Sequence, residues 1–205
     1  MTLKQWYYYL LEELVTQEER AGQRVQIQCR VEMLVPTNDW PKSFHLSRLK
    51  GLSTQIRSFI FKLLHQILPV RERLNPILGN TSSICILCGD EESETLLHAL
   101  FYCSCNRDAA DALLSLARPY DQSVNPQKVL LLDINCESIY QQSVILILYT
   151  GLYHIWENRI KKKTTSIYQI RSELECLISL LRRSRSKYLR EAGRMVSNTL
   201  ENFPI

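Results

Sequence analysis

The sequence has little glycine or proline, and it lacks the motifs that many enzymes use to bind phosphate or to activate a nucleophile. Only 6 of its 205 residues are glycine and 7 are proline, which excludes collagen-like and low-complexity classes. The glycines are never closer than ten residues apart, so neither a P-loop nor a G-x-G-x-x-G cradle is present. The motifs H-E-x-x-H and G-x-S-x-G are also missing. We therefore expect a chain without catalytic residues.

Signals for export or membrane insertion are also lacking. The first twenty residues do not contain the hydrophobic region and cleavage site of a secretory signal. The uncharged stretch from Ser138 to Trp156 is the one candidate membrane span, but polar residues interrupt it, and we expect a helix buried in a soluble domain. Seven cysteines, an odd number, argue against a closed disulfide framework and for a reducing compartment. We expect an intracellular protein without a membrane partner, with the nucleus favoured over the cytoplasm.

Apolar residues recur every three or four positions along most of the chain, which predicts a mainly α-helical fold. Helices are expected over Thr2–Gly22, Leu49–Ile67, Ser93–Phe101, Asn106–Arg118, Ser138–Lys161, and from Thr165 into the 190s. Residues 23–45 fit either an edge strand with a loop or an irregular arm. We divide the chain into an N-terminal helix and arm (1–43), a helix followed by a cysteine-rich region (44–118), and a C-terminal helical region with a basic last helix (119–205).

The mild net charge of +4 conceals a polarised distribution along the chain. Residues 41–75 and residues 156–205 each carry a net charge of +6, whereas residues 76–111 carry −5. Basic blocks of this kind favour contact with phosphates, and a solvated helix face is the alternative interpretation.

The acidic centre contains the strongest chemical signal, Cys85, Cys88, His98 and Cys103, in the pattern C-x2-C-x9-H-x4-C. A two-residue gap lets two thiolates of one tight turn point at the same ion, and three thiolates with one imidazole close a tetrahedral zinc site. Such a site is structural, because no coordination position is left open for a substrate. The expected fold is thus a helical domain with a small zinc-knuckle insertion. A redox Cys-x-x-Cys pair and Cys105 as the fourth ligand are the alternatives that the spacing leaves open.

Other motifs surround this pattern. Residues 61–74 predict a helix that ends in Leu-Pro-x-Arg, Glu94 and a threonine come shortly before His98, and residues 155–159 contain Trp-x-x-Arg. With the Cys-x-x-Cys-Gly of residues 85–89, they resemble the zinc-binding region that follows the reverse transcriptase of non-LTR (LINE-type) retrotransposons. The resemblance covers residues 44–118 well, extends loosely over 119–165, and does not include the first 43 residues.

The resemblance implies a zinc-binding, nucleic-acid-binding tail of a retroelement polyprotein that contacts template RNA or target DNA. Its partner would then be the reverse transcriptase in the remainder of that protein. The polymerase of the family depends on an aromatic-x-Asp-Asp motif, and this chain has no Asp-Asp pair. The chain would be either a tail fragment of such a protein or a free-standing descendant of one.

Two basic clusters near the C-terminus are the expected phosphate contacts. Their residues are Lys161, Lys162, Lys163, Arg182, Arg183, Arg185, Lys187 and Arg190. Because acidic residues from Asp90 to Glu94 make the zinc loop negative, we expect the zinc unit to brace the helices rather than to touch nucleic acid. The alternative is a zinc-stabilised protein interaction module whose Tyr7–Leu11 and Leu177–Leu181 faces dock partner helices.

Overall fold

The computed structural model describes residues 49–78, 82–119, 121–134, 137–201 and 203. This part of the chain is mainly α-helical and contains a Cys/His cluster, which confirms the expected fold class. The α-helices are α1 (Thr54–Leu64), α2 (Arg71–Leu78), α3 (Arg107–Ala117), α4 (Pro126–Leu130), α5 (Ile139–Ile160), α6 (Ile167–Arg182) and α7 (Lys187–Glu201). A π-helix spans His98–Tyr102. The expected first helix and the open stretch 23–45 lie outside the described residues.

Helix α1 is shorter than its apolar periodicity predicts. It begins at Thr54 rather than Leu49, because the Ser53 side chain caps it by accepting a hydrogen bond from the Ile56 N–H (3.3 Å). It ends at Leu64, and Gln66 then takes a left-handed conformation (φ 51°) that turns the chain before Pro69. The apolar pattern extends past both ends because non-helical residues can also face the core.

Helix α5 lies at the centre of the described core. A capping box fixes its start: Ser138 Oγ accepts from the Gln141 N–H (3.2 Å), and Gln141 Oε1 accepts from the Ser138 N–H (3.0 Å). The helix contacts α1, α3, α6, α7 and the π-helix, and this explains why it is apolar on every face. The prediction of a buried helix over 138–161 is confirmed. Within the described residues, no helix has both the length and the apolar character needed to cross a bilayer.

The single helix predicted from Thr165 into the 190s is wrong, because the chain breaks between Arg182 and Lys187 into α6 and α7. Ser184 Oγ accepts a hydrogen bond from the Ser186 N–H (3.2 Å), and such local side-chain bonds compete with helical ones. The two helices pack against each other, with Gly193 against Leu181. The basic residues predicted on one last helix therefore lie around a turn.

Sequence periodicity missed two short helices, α2 and α4, and it misassigned one side chain. Asn106 stands at the N-cap of α3 as predicted, but its side chain makes no cap hydrogen bond. Its Oδ1 instead accepts from the Thr165 N–H (3.0 Å), 59 residues further along the chain. A long-range partner has replaced the local one, and the amide is buried as a result.

Helices α3 and α5 come close together at Gly151. A Cβ atom on Gly151 would lie 2.5 Å from Cδ2 of Leu113, which is fully buried. Glycine is needed here for space, because its backbone conformation is an ordinary helical one.

We predict that Gly151→Ala lowers the free energy of unfolding by about 1 kcal/mol. Overpacking costs roughly 1–3 kcal/mol, and the better helix propensity of alanine offsets roughly 1 kcal/mol of it. In a Leu113→Ala background the same change should become neutral or stabilising, because the clash is removed. Urea denaturation of the four proteins measures both effects, and an equal effect of Gly151→Ala in both backgrounds would contradict this account of the packing.

Candidate metal centre

Cys85 and Cys88, the first two cysteines of the predicted pattern, lie on a tight turn closed by backbone hydrogen bonds. Ile84 and Ser93 form an isolated antiparallel bridge, and the Glu94 N–H donates to the Ser83 oxygen (2.8 Å). Inside this closure the Gly89 N–H donates to the Cys85 oxygen (3.2 Å), and Gly89 adopts φ +69°. Only glycine takes that conformation without a steric penalty. The thiols of Cys85 and Cys88 therefore lie on the same side of the turn.

The other two members of the pattern come from the π-helix and its end. His98 begins the π-helix, and its N–H is held by Thr95 Oγ1 (3.0 Å). Cys103 follows the last residue, and its N–H donates to the His98 oxygen (2.7 Å). The wider π-helical turn thus brings two residues five positions apart to the same place, and such turns are frequent at functional sites.

The structure brings the four predicted side chains together. One ligand atom from each of Cys85, Cys88, His98 and Cys103 lies within 4.8 Å of all the others. The Sγ atoms of Cys85 and Cys103 are 3.8 Å apart, and Cys88 Sγ lies 3.4 Å from His98 Nε2. A disulfide needs about 2.05 Å between sulfur atoms, so the cysteines are free thiols. Their arrangement could hold one metal ion.

Cys105 is not part of this cluster, although the spacing left it open as a fourth ligand. The reason differs from the one that a continuous helix would suggest. The chain leaves the π-helix at Cys103 and makes a turn before α3, so Cys105 lies on that turn. The redox alternative also loses support, because the Cys85–Cys88 turn does not open a helix.

Burial affects the protonation of Cys88 and Cys103. It raises the pKa of Cys88 to about 11 and raises that of Cys103 further, while hydrogen bonds from the backbone of Asp90 and Cys105 oppose these shifts. Without a metal, both thiols therefore hold their protons at neutral pH. A metal ion must displace those protons, so its binding should strengthen as pH rises.

A carboxylate orients the imidazole. Glu92 Oε2 lies 3.3 Å from His98 Nδ1, on the side of the ring away from the cluster. This contact leaves Nε2 facing the thiols. Carboxylate partners of this kind fix the ring orientation and the tautomer of histidines that bind metals.

The pair between Glu94 and Arg159 joins the cluster to helix α5 and was not predicted. Glu94 is fully buried; its Oε1 accepts from Arg159 Nε (2.9 Å), and its Oε2 accepts from Arg159 Nη2 and from the Arg71 N–H (3.0 Å). The same Oε1 lies 3.5 Å from Cys85 Sγ. The inclusion of Glu94 among the acids that charge the loop surface is therefore wrong, because Arg159 neutralises it in the interior.

Arg159 makes two further contacts where the cluster meets helix α5. Its Nη1 donates to the Pro69 oxygen (3.2 Å), and its guanidinium lies over the Trp156 ring, 4.8 Å from the centroid. One sequence signal could have revealed it. Arg159 follows the long uncharged stretch of α5 on the same helix, where a cation needs a buried partner.

The predicted basic residues form two groups at opposite ends of α6. Lys161, Lys162 and Lys163 are exposed just after α5, whereas the second group surrounds the α6–α7 turn. With a rise of 1.5 Å per residue, the 16 residues of α6 separate the groups by about 24 Å. They therefore do not form one continuous stripe.

Several members of the second group are engaged within the chain. Arg182 Nη2 donates to Ser197 Oγ (2.9 Å), and Arg190 Nη1 donates to the Ser184 oxygen (2.9 Å). Arg183, Arg185 and Lys187 are exposed, and their side chains have no hydrogen-bond or ion-pair partner among the described residues. These three cations are available to an external anion.

The remaining cysteines divide into one that the structure describes and two that it does not. Cys29, Cys136 and Cys176 have no partner at metal-ligand spacing, which predicts ordinary small buried residues. The prediction is wrong for Cys176, which is exposed on α6. Cys29 and Cys136 lie outside the described residues.

No family model, curated protein or solved structure matches this chain in the comparisons.

We predict that Arg159→Met lowers the free energy of unfolding by about 3–5 kcal/mol, because it leaves the Glu94 carboxylate buried without a partner. The double variant Glu94→Gln, Arg159→Met should recover a large part of that loss. Arg171→Met is the matched control, since its pair with Glu175 is partly exposed and should contribute less than about 1 kcal/mol. Urea denaturation measures all three, and an effect of Arg159→Met as small as that of the control would refute the assignment.

Proposed function

We propose that the Cys/His cluster binds one zinc ion in a closed structural site. Thiolate and imidazole are the ligands of structural zinc sites, with Zn–S bonds of about 2.3 Å. Two sulfur atoms at a tetrahedral angle around such an ion lie about 3.8 Å apart, and the Cys85–Cys103 separation is 3.8 Å. Four ligands fill the coordination shell, so the ion supplies stability rather than catalysis.

The protein should bind one equivalent of Zn²⁺, with an apparent affinity that rises from about pH 6 to about pH 8 as thiol protons are displaced. Cys103→Ser should abolish stoichiometric binding, whereas Cys105→Ser should retain it. Metal analysis and competition with a chelator at several pH values measure these effects. Loss of binding in Cys105→Ser equal to that in Cys103→Ser would show that the ligand set is different.

We further propose that the chain is a non-catalytic nucleic-acid-binding tail of a non-LTR retrotransposon reverse-transcriptase protein, which contacts template RNA or target DNA. One observation carries the family resemblance. The motifs that suggested it are far apart in sequence, yet Pro69, Arg71, Cys85, Glu94 and Arg159 meet around a single buried ion pair. Cys85, Glu94 and Arg159 contribute side chains to this contact, whereas Pro69 and Arg71 contribute main-chain atoms. The proximity of the motifs in space supports the resemblance.

The basic α6–α7 turn, residues 182–187, supports contact with nucleic acid. Its exposed cations Arg183, Arg185 and Lys187 are unpaired among the described residues, as a phosphate-binding surface requires. The zinc loop is a poor candidate for the contact, because Glu91 and Glu92 are exposed on it. A nuclear location fits this function.

The alternative of a protein interaction module is weakened at one of its two faces. Within Leu177–Leu181, Leu177, Ile178 and Leu181 are buried in the core of the chain itself, and Leu180 is the apolar residue that remains exposed to a partner. The other proposed face, Tyr7–Leu11, lies outside the described residues.

Replacing Arg183, Arg185 and Lys187 with Gln should weaken binding to nucleic acid at low salt. The slope of log K against log [salt] should fall by roughly 0.7 to 0.9 for each phosphate that the variant no longer neutralises. Glu91→Gln is the control, and it should leave binding unchanged or slightly stronger. Filter binding against structured RNA, single strands and duplex DNA at several salt concentrations tests this. A triple variant with the affinity and slope of the unmodified protein would favour the protein-interaction alternative.

A further inference from the structure

The loop between α5 and α6 carries three exposed lysines and is tied at both ends to the segment that bears the metal ligands. We call residues 161–164 the lysine loop and residues 82–106 the metal-bearing segment. Before the loop, Arg159 pairs with Glu94. After it, the Thr165 N–H donates to Asn106 Oδ1 (3.0 Å). Both anchors therefore belong to the segment that the metal would organise.

The anchor at Asn106 is close to the cluster along the chain. The Asn106 N–H donates to the oxygen of Cys103 (2.9 Å), one of the four ligand residues. A displacement of Cys103 would therefore move the acceptor that holds Thr165.

The loop itself has a defined backbone. The Lys162 N–H donates to the Arg159 oxygen (3.0 Å), and the Lys163 N–H donates to the Asn158 oxygen (2.8 Å). Lys162 takes a left-handed conformation (φ 55°), which is unfavourable for a residue with a side chain. The two hydrogen bonds to the last turn of α5 form a C-terminal cap that holds Lys162 in this conformation, so the start of the loop is fixed relative to α5.

Buried polar residues are concentrated where the metal-bearing segment contacts the two ends of the lysine loop. Of the nine polar or charged residues that are buried in the described part of the chain, five lie here, and they are Glu94, Asn106, Asn158, Arg159 and Thr165. Asn158 Nδ2 also donates to Thr165 Oγ1 (3.2 Å), which closes the base of the loop. Networks of buried hydrogen bonds specify one arrangement because each unmade bond is costly.

We propose that the lysine loop contacts the phosphate backbone of nucleic acid and that the bound metal holds it in its binding conformation. The inference rests on the proposed function, and it adds a metal dependence to one of its two basic surfaces. Lys162 and Lys163 have no side-chain partner among the described residues, and Lys161 makes only an exposed pair with Glu157 (3.4 Å).

The proposed coupling between metal binding and nucleic-acid binding follows from the entropy cost of ordering the lysine loop. Segments built around a structural metal lose their fold when the metal is removed, and the two anchors would then break together. A loop that must be ordered on binding contributes less affinity than one that is already ordered. Metal and nucleic acid therefore favour each other's binding, and the effect is reciprocal.

The test compares the unmodified protein with a variant in which Lys161, Lys162 and Lys163 are Gln, each zinc-loaded and after treatment with a chelator. The probe is a labelled structured RNA titrated at several salt concentrations. In the loaded state the variant should show a salt slope smaller by up to roughly 2 to 3, from three phosphate contacts at roughly 0.7 to 0.9 each. After chelation the difference in affinity and salt slope between the two proteins should be smaller.

Two further variants separate the lysine loop from general unfolding. Asn106→Ala removes an anchor but no metal ligand, so it should keep its zinc, weaken RNA binding, and add nothing to the lysine variant. Replacing Arg183 and Arg185 with Gln alters the other end of α6, and this change should weaken RNA binding by the same factor with and without zinc.

The outcomes are distinguishable. Absence of binding by every form to this RNA and to the duplex DNA of the filter-binding assay refutes the nucleic-acid-binding part of the proposed function. Binding in which the lysines contribute equally with and without zinc, and in which Asn106→Ala has no effect, overturns the metal dependence of the lysine loop alone. If circular dichroism shows that chelation unfolds helices α5 to α7, the zinc-loaded Asn106→Ala protein decides, and affinity equal to that of the unmodified protein rejects the coupling.

Discussion

The buried pair between Glu94 and Arg159 is the contact on which the arrangement of the described chain depends. It connects residues 65 positions apart, and each partner also binds backbone near the start of α2, through the Arg71 N–H and the Pro69 oxygen. A buried ion pair adds little net stability compared with apolar residues, but removal of one partner is severe. The pair therefore mainly specifies one arrangement of the fold. Helix α2, the Cys/His cluster and α5 must all be in place before either charge can be buried.

The charged residues are divided between one pair in the interior and several groups on the surface. Glu94 and Arg159 neutralise each other inside, whereas the basic residues at the two ends of α6 remain on the surface. The metal-bearing segment keeps exposed acids such as Glu91 and Glu92, one of which orients His98. A segment with this charge repels phosphate, and under the proposed function its part is to position other residues rather than to contact nucleic acid.

Local patterns in the sequence predicted the features that local physics determines. Apolar periodicity predicted α5, and the spacing of four residues within 19 positions predicted the members of the Cys/His cluster. The break between α6 and α7 was missed because apolar residues resume at Tyr188 after the polar stretch 182–187, in which serine side chains interrupt the helical backbone. Glu94, Asn106 and Thr165 were misassigned or missed for another reason: their partners lie 59 to 65 residues away, and no local pattern encodes such a pairing.

Under the proposed function, the separation of the two basic groups sets the length of nucleic acid that could contact both. They lie about 24 Å apart along α6, and successive phosphates of one B-form strand rise by about 3.4 Å. A strand that contacts both groups must therefore extend over roughly seven nucleotides. Under the proposed coupling, loss of the metal would weaken this contact at the lysine loop, whereas the arginines at the α6–α7 turn lie between two helices that pack against each other and against α5.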